Sequence, residues 1–206
     1  MLIMKKILTF ILLLFSSFVL AGDISDFEIE GMSIGDSLLD YFDKKLIESE
    51  KYDEYSIMYK HNMYVQIGAS HNENYALRVG SNTYDDLSIV LKTNDDNYEI
   101  VSIGGRIFCK DINICKSKKK DIVSELKILF DDNVIINNST VNHNADPSGN
   151  SKTFNTFFIF KSNDYVEVSV YDWSKELIDG KRFPDNLKVS IMSAEFRNFL
   201  ENIQYN

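Results

Sequence analysis

The sequence predicts an α+β fold in which helices pack on one face of one or two antiparallel β-sheets. Two observations support this fold class. Apolar residues alternate with a period of two through two long stretches of the chain, and each stretch follows a segment in which they return every three or four positions. A third helical segment ends the chain. Strands joined by short turns form meanders, so we expect two helix-plus-meander halves and a C-terminal helix.

The chain begins with the pattern of an export signal. Lysines precede an almost wholly apolar run, Ile7 to Leu20, and Val19 and Ala21 supply small residues at the two positions that a signal peptidase reads. We expect cleavage between Ala21 and Gly22, which leaves residues 22–206 as a single α+β domain in the periplasm or outside the cell. The apolar run is short for a bilayer span and no cysteine lies near the junction, so we expect no stable membrane anchor after cleavage.

The first helix of the domain is predicted from Ile34 to Glu48. Ser33 can cap its first turn, and Asp36, three residues later, can reach back as in a capping box. The stripe that would face the core repeats every four residues, at Ile34, Leu38, Phe42 and Leu46.

The first meander is predicted between Ser56 and Phe108. Its clearest hairpin joins 87–91 to 98–103 across Thr93 to Asn97, and further strands are predicted at 56–59, 63–69 and 75–79. Gly104 and Gly105 indicate a bulge or a close approach of backbone to a neighbour.

Cys109 and Cys115 are the only cysteines of the chain. An even count in an exported protein favours a disulfide, and no second pair exists to complete a zinc site. Closing so short a loop should contribute about 2 kcal/mol on the chain-entropy model. We therefore predict a structural bond between the end of a strand and the second helix.

The second helix is predicted to end near Asp131, with its apolar stripe at Ile122, Val123, Leu126, Leu129 and Phe130. A basic cluster lies near its start, at Lys116, Lys118, Lys119 and Lys120. Such a cluster can bind phosphate, but acidic residues border it, so we expect a helix face turned to water.

The second meander begins with a short strand at Val134 to Ile136. The polar stretch Asn137 to Lys152 is predicted to be a mobile loop or the arm of a long hairpin. Strands follow at 154–161, 165–171 and 187–192, and Ser193 caps a terminal helix that should close the core with Phe196, Phe199, Leu200 and Ile203.

Charge and motifs exclude several functions. A formal charge of −9 repels phosphate backbones, so nucleic acid is not an expected partner. His61, His71 and His143 fall in separate predicted turns, and no EF-hand loop or Gly-x-Ser-x-Gly elbow is present. We expect no catalytic, metal-binding or cofactor-binding residues. The many tyrosines and Trp173 either form a stacking surface or bury their rings.

The segment Phe27-Glu28-Ile29-Glu30-Gly31-Met32-Ser33-Ile34-Gly35-Asp36-Ser37-Leu38-Leu39-Asp40-Tyr41-Phe42 resembles a family of short exported bacterial proteins without an assigned function. The resemblance is sharp over this segment and general in the strand–cysteine–helix region that follows. It implies export and supplies no catalytic residue.

These observations leave three hypotheses. The first is a non-catalytic exported protein that binds another protein or an envelope component through a sheet face or edge. The alternative is a carrier of a small ligand or carbohydrate in an apolar cavity, which a bend at Gly104 and Gly105 would favour. The third is a hydrolase that uses carboxylates, for which the sequence shows no catalytic motif.

Overall fold

A computed structural model describes residues 24, 27–53, 56–72, 75–80, 83–179 and 184–204. The predicted export signal and its cleavage site at Ala21 and Gly22 lie outside these residues. The fold is α+β, as the sequence predicts, with helices packed on one antiparallel sheet and a C-terminal helix.

The described residues form eight strands and four α-helices. The strands are β1 (Ile57–Met58), β2 (Tyr64–Ala69), β3 (Asp86–Lys92), β4 (Ile100–Phe108), β5 (Ile135–Asn142), β6 (Lys152–Ile159), β7 (Tyr165–Asp172) and β8 (Asn186–Met192). The helices are α1 (Lys44–Lys51), α2 (Ile112–Phe130), α3 (Lys175–Asp179) and α4 (Ala194–Phe199), and α4 continues as a wider π-helical turn, Leu200–Gln204.

All eight strands belong to one sheet, in the order β1-β2-β3-β4-β8-β7-β6-β5. Each half is an antiparallel meander, and the last strands of the two halves pair in the middle, with Ile103 opposite Ile191 and Gly105 opposite Val189. The first strands of the two meanders, β1 and β5, therefore form the two edges of the sheet.

The main core lies between the sheet and the two longer helices. Helix α2 crosses β7 and β8, and α1 lies over β2. Phe130 of α2 is fully buried, and its ring centroid lies 5.8 Å from that of Phe27 and 5.5 Å from that of Phe158. Aromatic rings at these separations pack in contact, so side chains fill this interior.

Helix α4 packs on the opposite face of the sheet. Ser193 caps it, as predicted, by accepting a hydrogen bond from the Phe196 N–H at 3.3 Å. Phe196 and Phe199 are buried in a second cluster with Tyr64 and Met192. The terminal helix thus closes a smaller core of its own instead of completing the main one.

The predicted helix from Ile34 to Glu48 is wrong in its first ten residues, because α1 begins only at Lys44. Gly35 has a left-handed backbone (φ 90°), and its N–H donates to the carbonyl of Ile100 at 2.9 Å. The segment pairs with the start of β4, and only a single 3-10 turn, Leu38–Asp40, forms within it. Asp36 does accept from the Ser33 N–H at 2.8 Å, so the capping-box hydrogen bond forms without the helix.

The sheet also tests three other predictions, on residues 75–79, on the polar stretch after Ile136 and on Gly105. Residues 75–79 form no strand, and only Arg78 makes an isolated bridge, to Ser70. The polar stretch after Ile136 is the arm of a long hairpin, formed by β5 and β6. Gly105 allows the predicted close approach, since a Cβ there would overlap the ring of Tyr84.

The structure contains the predicted disulfide between Cys109 and Cys115. Cys109 directly follows β4, and Cys115 is a fully buried residue in the first turn of α2. The bond therefore attaches the start of α2 to the centre of the sheet. Among the described residues, no helix combines the length and the hydropathy needed to cross a membrane.

Candidate functional site

The most accessible of the strands longer than two residues is β5, the edge strand of the second meander. Seven of its eight residues are exposed, with Ile135 at 67% and Val141 at 49% of full exposure. It pairs with β6 over its whole length, from Ile135 opposite Ile159 to Asn142 opposite Lys152, without a register shift. We call its outer side, residues Ile135–Asn142, the β5 edge.

An edge strand presents backbone N–H and C=O groups that can pair with another chain. Proteins usually block such edges with charged residues, proline, a bulge or a very short strand. The β5 edge has none of these features, because its sequence contains only Ile, Val, Asn, Ser and Thr and its ladder is regular. It is therefore suited to accept an added strand.

A pocket of about 310 Å³ borders this edge on the face that carries α4. We call it the α4-side pocket. The rings of Phe157 and Tyr165 form an edge-to-face pair in its lining, with centroids 5.5 Å apart, and Arg197 Nε lies 2.8 Å from Glu201 Oε1 at its margin. Its lining is Asn137, Asn138, Ser139, Phe157, Ile159, Tyr165, Arg197 and Glu201.

A second pocket, of about 250 Å³, borders the same strand beside α2. We call it the α2-side pocket, and its lining is Lys119, Asn138, Ser139, Thr140, Phe154 and Asn155. Asn138 and Ser139 line both pockets. Because successive residues of a strand point to opposite faces, the middle of β5 has a recess on either side.

Lys119 is the charged residue of the α2-side pocket. It follows Cys115 by four positions and precedes Ile122 by three, and both of those residues are buried, so it lies on the sheet-facing side of α2. Its Nζ donates to Thr156 Oγ1 at 2.8 Å, and that hydroxyl donates to Asn138 Oδ1 at 2.7 Å. Burial lowers the pKa of Lys119, while the carboxylate of Glu167 acts in the opposite direction.

The expectation that the basic cluster of α2 faces water is therefore wrong for half of its members. Lys118 and Lys120 are exposed, but Lys116 pairs with Asp172 at 2.8 Å and lies over the ring of Phe154. Helical spacing from the buried Cys115 could have identified Lys119, which follows it by four positions, but not its direct neighbour Lys116. The interpretation missed them because it treated the cluster as a single charged face.

A buried row of polar side chains leads from the sheet centre to β5 on the α4 side. Glu167 accepts from Ser190 Oγ at 3.3 Å, and its other oxygen lies 2.5 Å from Ser169 Oγ. Asn155 lies 2.8 Å from the same Ser169 hydroxyl and donates through Nδ2 to Ser139 Oγ at 3.1 Å. Buried polar groups with partners fix a local geometry, so this row holds the middle of β5 in place.

The structure does not bring the three histidines together. His61 and His71 are exposed, and the ring of His143 packs 4.4 Å from that of Trp173. The described residues contain no group of three or more His, Cys, Asp or Glu that could hold a metal ion.

Of the nine tyrosines among the described residues, four are buried, as one of the two interpretations held, three are half-buried and two are exposed. Tyr64 and Tyr98 are 2% and 3% exposed, and their hydroxyls donate to Glu195 and Glu48. Tyr84 and Tyr165 are buried as well, whereas Tyr52 is exposed and Tyr55 lies outside the described residues.

Comparisons with protein-family models, curated proteins and solved structures find no match to this chain. The resemblance of residues 27–42 to an exported family stays a prediction.

Proposed function

We propose that this protein is exported and non-catalytic, and that it binds an extended segment of another protein or envelope component along the β5 edge. The observation that carries this proposal is the eight-residue, uncharged and regular edge strand with a pocket on each face. Export is inferred from the signal pattern of residues 1–21. The disulfide at Cys109 and Cys115 is compatible with an oxidising compartment.

Binding at a sheet edge uses backbone hydrogen bonds for affinity and side-chain pockets for specificity. The β5 edge offers both. Its middle residues are already held, since Asn138 accepts from Thr156 and Ser139 accepts from Asn155. A strand that is ordered before binding loses less conformational freedom when it binds, which favours affinity.

The packing of the interior supports edge binding over carriage of a small ligand in an apolar cavity. Phe27, Phe130 and Phe158 fill the space between the sheet and α2. Four pockets lined by described residues lie beside β5, beside α4 and beside the β3–β4 turn. None of these positions is between the sheet and α2.

The test selects displayed random peptides of about 12 residues, long enough to pair along all of β5, on the immobilised exported protein. Bound peptides are then measured on the double variant Ile135→Lys/Val141→Lys, which adds charge to the edge. Ile128→Lys is the matched control, because Ile128 is 81% exposed on α2. We expect at least about tenfold weaker binding, or about 1.4 kcal/mol, to the edge variant and unchanged binding to the control.

Amide hydrogen exchange locates the bound peptide. Protection should appear in β5 and should be absent from β1. Equal affinity for the native protein and the edge variant would contradict the proposal, as would a library that yields no binder.

A further inference from the structure

The ammonium group of Lys119 lies at the β5 edge without a carboxylate. Five other cations among the described residues lie within 3.1 Å of a carboxylate oxygen, namely Lys51, Lys92, Arg106, Lys116 and Arg197. Most of the lysines outside such pairs are exposed to water, whereas Lys119 is half-buried. Lys119 forms no such pair among the described residues, and its Nζ donates a hydrogen bond to the neutral hydroxyl of Thr156. The chain has 31 acidic and 22 basic residues, so shortage of acids does not explain this.

A cation that is partly removed from water and has no carboxylate within ion-pair distance is destabilised relative to its hydrated form, and the more distant Glu167 carboxylate offsets this only in part. The lowered pKa of Lys119, caused first by burial, agrees with this position. A carboxylate supplied by a bound molecule would restore the missing interaction. Charge complementarity of this kind contributes to the choice of partner as well as to affinity.

The α4-side pocket has a different character. The rings of Phe157 and Tyr165 and the side chain of Ile159 give it an apolar lining, and its charged members, Arg197 and Glu201, already pair with each other. An apolar side chain of the partner would bury its surface there.

The two pockets also fix the spacing of the partner's side chains. They share Asn138 and Ser139, so they flank the same point of β5 on opposite faces. In an added strand, consecutive residues point to opposite faces. One residue would therefore enter the α2-side pocket, and its direct neighbour would enter the α4-side pocket.

We propose that the partner segment carries an acidic residue directly next to a large apolar residue, with the carboxylate directed at Lys119 and the apolar side chain placed against Phe157 and Tyr165. This inference rests on the proposed function, because it names the partner that the β5 edge would select.

The experiment uses the same displayed peptide library, sequenced after selection on the full exported protein and on three variants. Lys119→Met removes the charge and fits the apolar stripe of α2, Lys119→Arg keeps the charge, and Lys120→Met is the control at an exposed neighbour. Peptides from the native protein, Lys119→Arg and Lys120→Met should be enriched in an acidic residue beside an apolar one. Peptides from Lys119→Met should lose the acidic preference and keep the apolar one.

A double-mutant cycle then measures the interaction between the acidic residue of a selected peptide and Lys119. Replacement of its Glu by Gln, or of its Asp by Asn, should weaken binding to the native protein about tenfold and leave binding to Lys119→Met nearly unchanged. Chemical unfolding of each variant checks that the fold is intact. An equal loss on both proteins, or edge binders without acidic enrichment, would overturn the inference and leave the proposed function standing. Binding that survives Ile135→Lys/Val141→Lys would overturn both.

Discussion

The two edges of the sheet, β1 and β5, are each the first strand of a meander, but they differ in length and in how far other parts of the chain cover them. Strand β1 has two residues and is followed by a turn in which His61 has φ 59°. The C-terminal turn covers that end, because the Lys60 N–H donates to Gln204 Oε1 and Lys60 Nζ donates to the Ile203 carbonyl, both at 2.9 Å. Strand β5 has eight residues, and no described element lies outside it.

The β1 edge is thus protected from pairing with another chain, and the β5 edge is not. Another chain finds little free backbone at β1, because the strand is short, a sharp turn follows it and the C-terminal turn covers its end. Equivalent protection at β5 would need only a lysine or a proline. An unprotected edge risks aggregation, so its presence beside two pockets supports the binding role that we propose.

The largest expected effect tests how the β1 edge is closed. Phe199 is 4% exposed and its ring lies 4.8 Å from that of Tyr64 and 6.2 Å from that of Tyr59. Phe199→Ala should lower the free energy of unfolding by about 3 to 5 kcal/mol through lost burial and a residual cavity. Urea unfolding followed by Trp173 fluorescence and by circular dichroism measures this loss.

The same variant should also loosen the β1 edge selectively. Amides of β1 and β2 should exchange faster, while those of β5 should change only with global stability. Ile128→Ala, at an exposed position, is the control and should leave the midpoint unchanged. An unaltered midpoint in Phe199→Ala would mean that α4 does not close the edge.

Loss of the disulfide should have the next largest effect on the free energy of unfolding, and it concerns α2, the helix beside the β5 edge. It attaches α2 to the end of β4, one helical turn before Lys119. Reduction, or the variant Cys109→Ala/Cys115→Ala, should lower the free energy of unfolding by about 2 kcal/mol. Thiol labelling of the unfolded, non-reduced protein should find no free sulfhydryl, and two labelled cysteines would contradict the bond.

The second half of the chain could be predicted from the sequence more fully than the first, for a physical reason. Strands β7 and β8 alternate strictly and α4 has a serine cap, so local pattern and tertiary packing agree there. The predicted first helix failed because the Gly35 N–H bonds to Ile100 and the Leu38 N–H bonds to Tyr98, both about 60 positions away. A local pattern contains no information about such pairings.

The candidate site shows the same limit. The composition of β5 left open a loop or the arm of a hairpin, since Asn and Ser are common in turns, and its pairing with β6 decides for the hairpin arm. Lys119 was detectable from helical spacing, but its pocket was not, because Thr156 and Asn138 come from strands that follow α2 in the sequence.

A smaller effect on stability is expected when each edge receives a charge. Ile57 on β1 and Val141 on β5 are 51% and 49% exposed, so they form a matched pair. Ile57→Lys and Val141→Lys should each change the free energy of unfolding by about 0.5 kcal/mol or less. Only Val141→Lys should weaken peptide binding. Equal weakening by both substitutions would remove the functional difference between the edges.

A pH-dependent effect is expected in the turn that joins β5 to β6. The Asp146 carboxylate accepts from the N–H groups of Ser148 and Ser151 at 3.0 and 2.9 Å, and from their hydroxyls at 2.7 and 2.6 Å. These hydrogen bonds, those from Ser151 first, hold the pKa of Asp146 well below its usual range. The folded state therefore favours the charged form.

A lowered folded pKa stabilises the protein above the pKa of an unfolded aspartate, about 3.9, and this contribution is lost as the pH falls from there through the folded pKa. Asp146→Asn should thus lower the unfolding midpoint at neutral pH, and the difference from the native protein should shrink below about pH 4. Asp96→Asn, in the turn of the β3–β4 hairpin, is the control and should change little, because Asp96 is exposed. Amides of β5 should exchange faster in Asp146→Asn and those of β1 should not. Equal acceleration at both edges would show that the turn supports the whole sheet and that the β5 edge has no local anchor of its own.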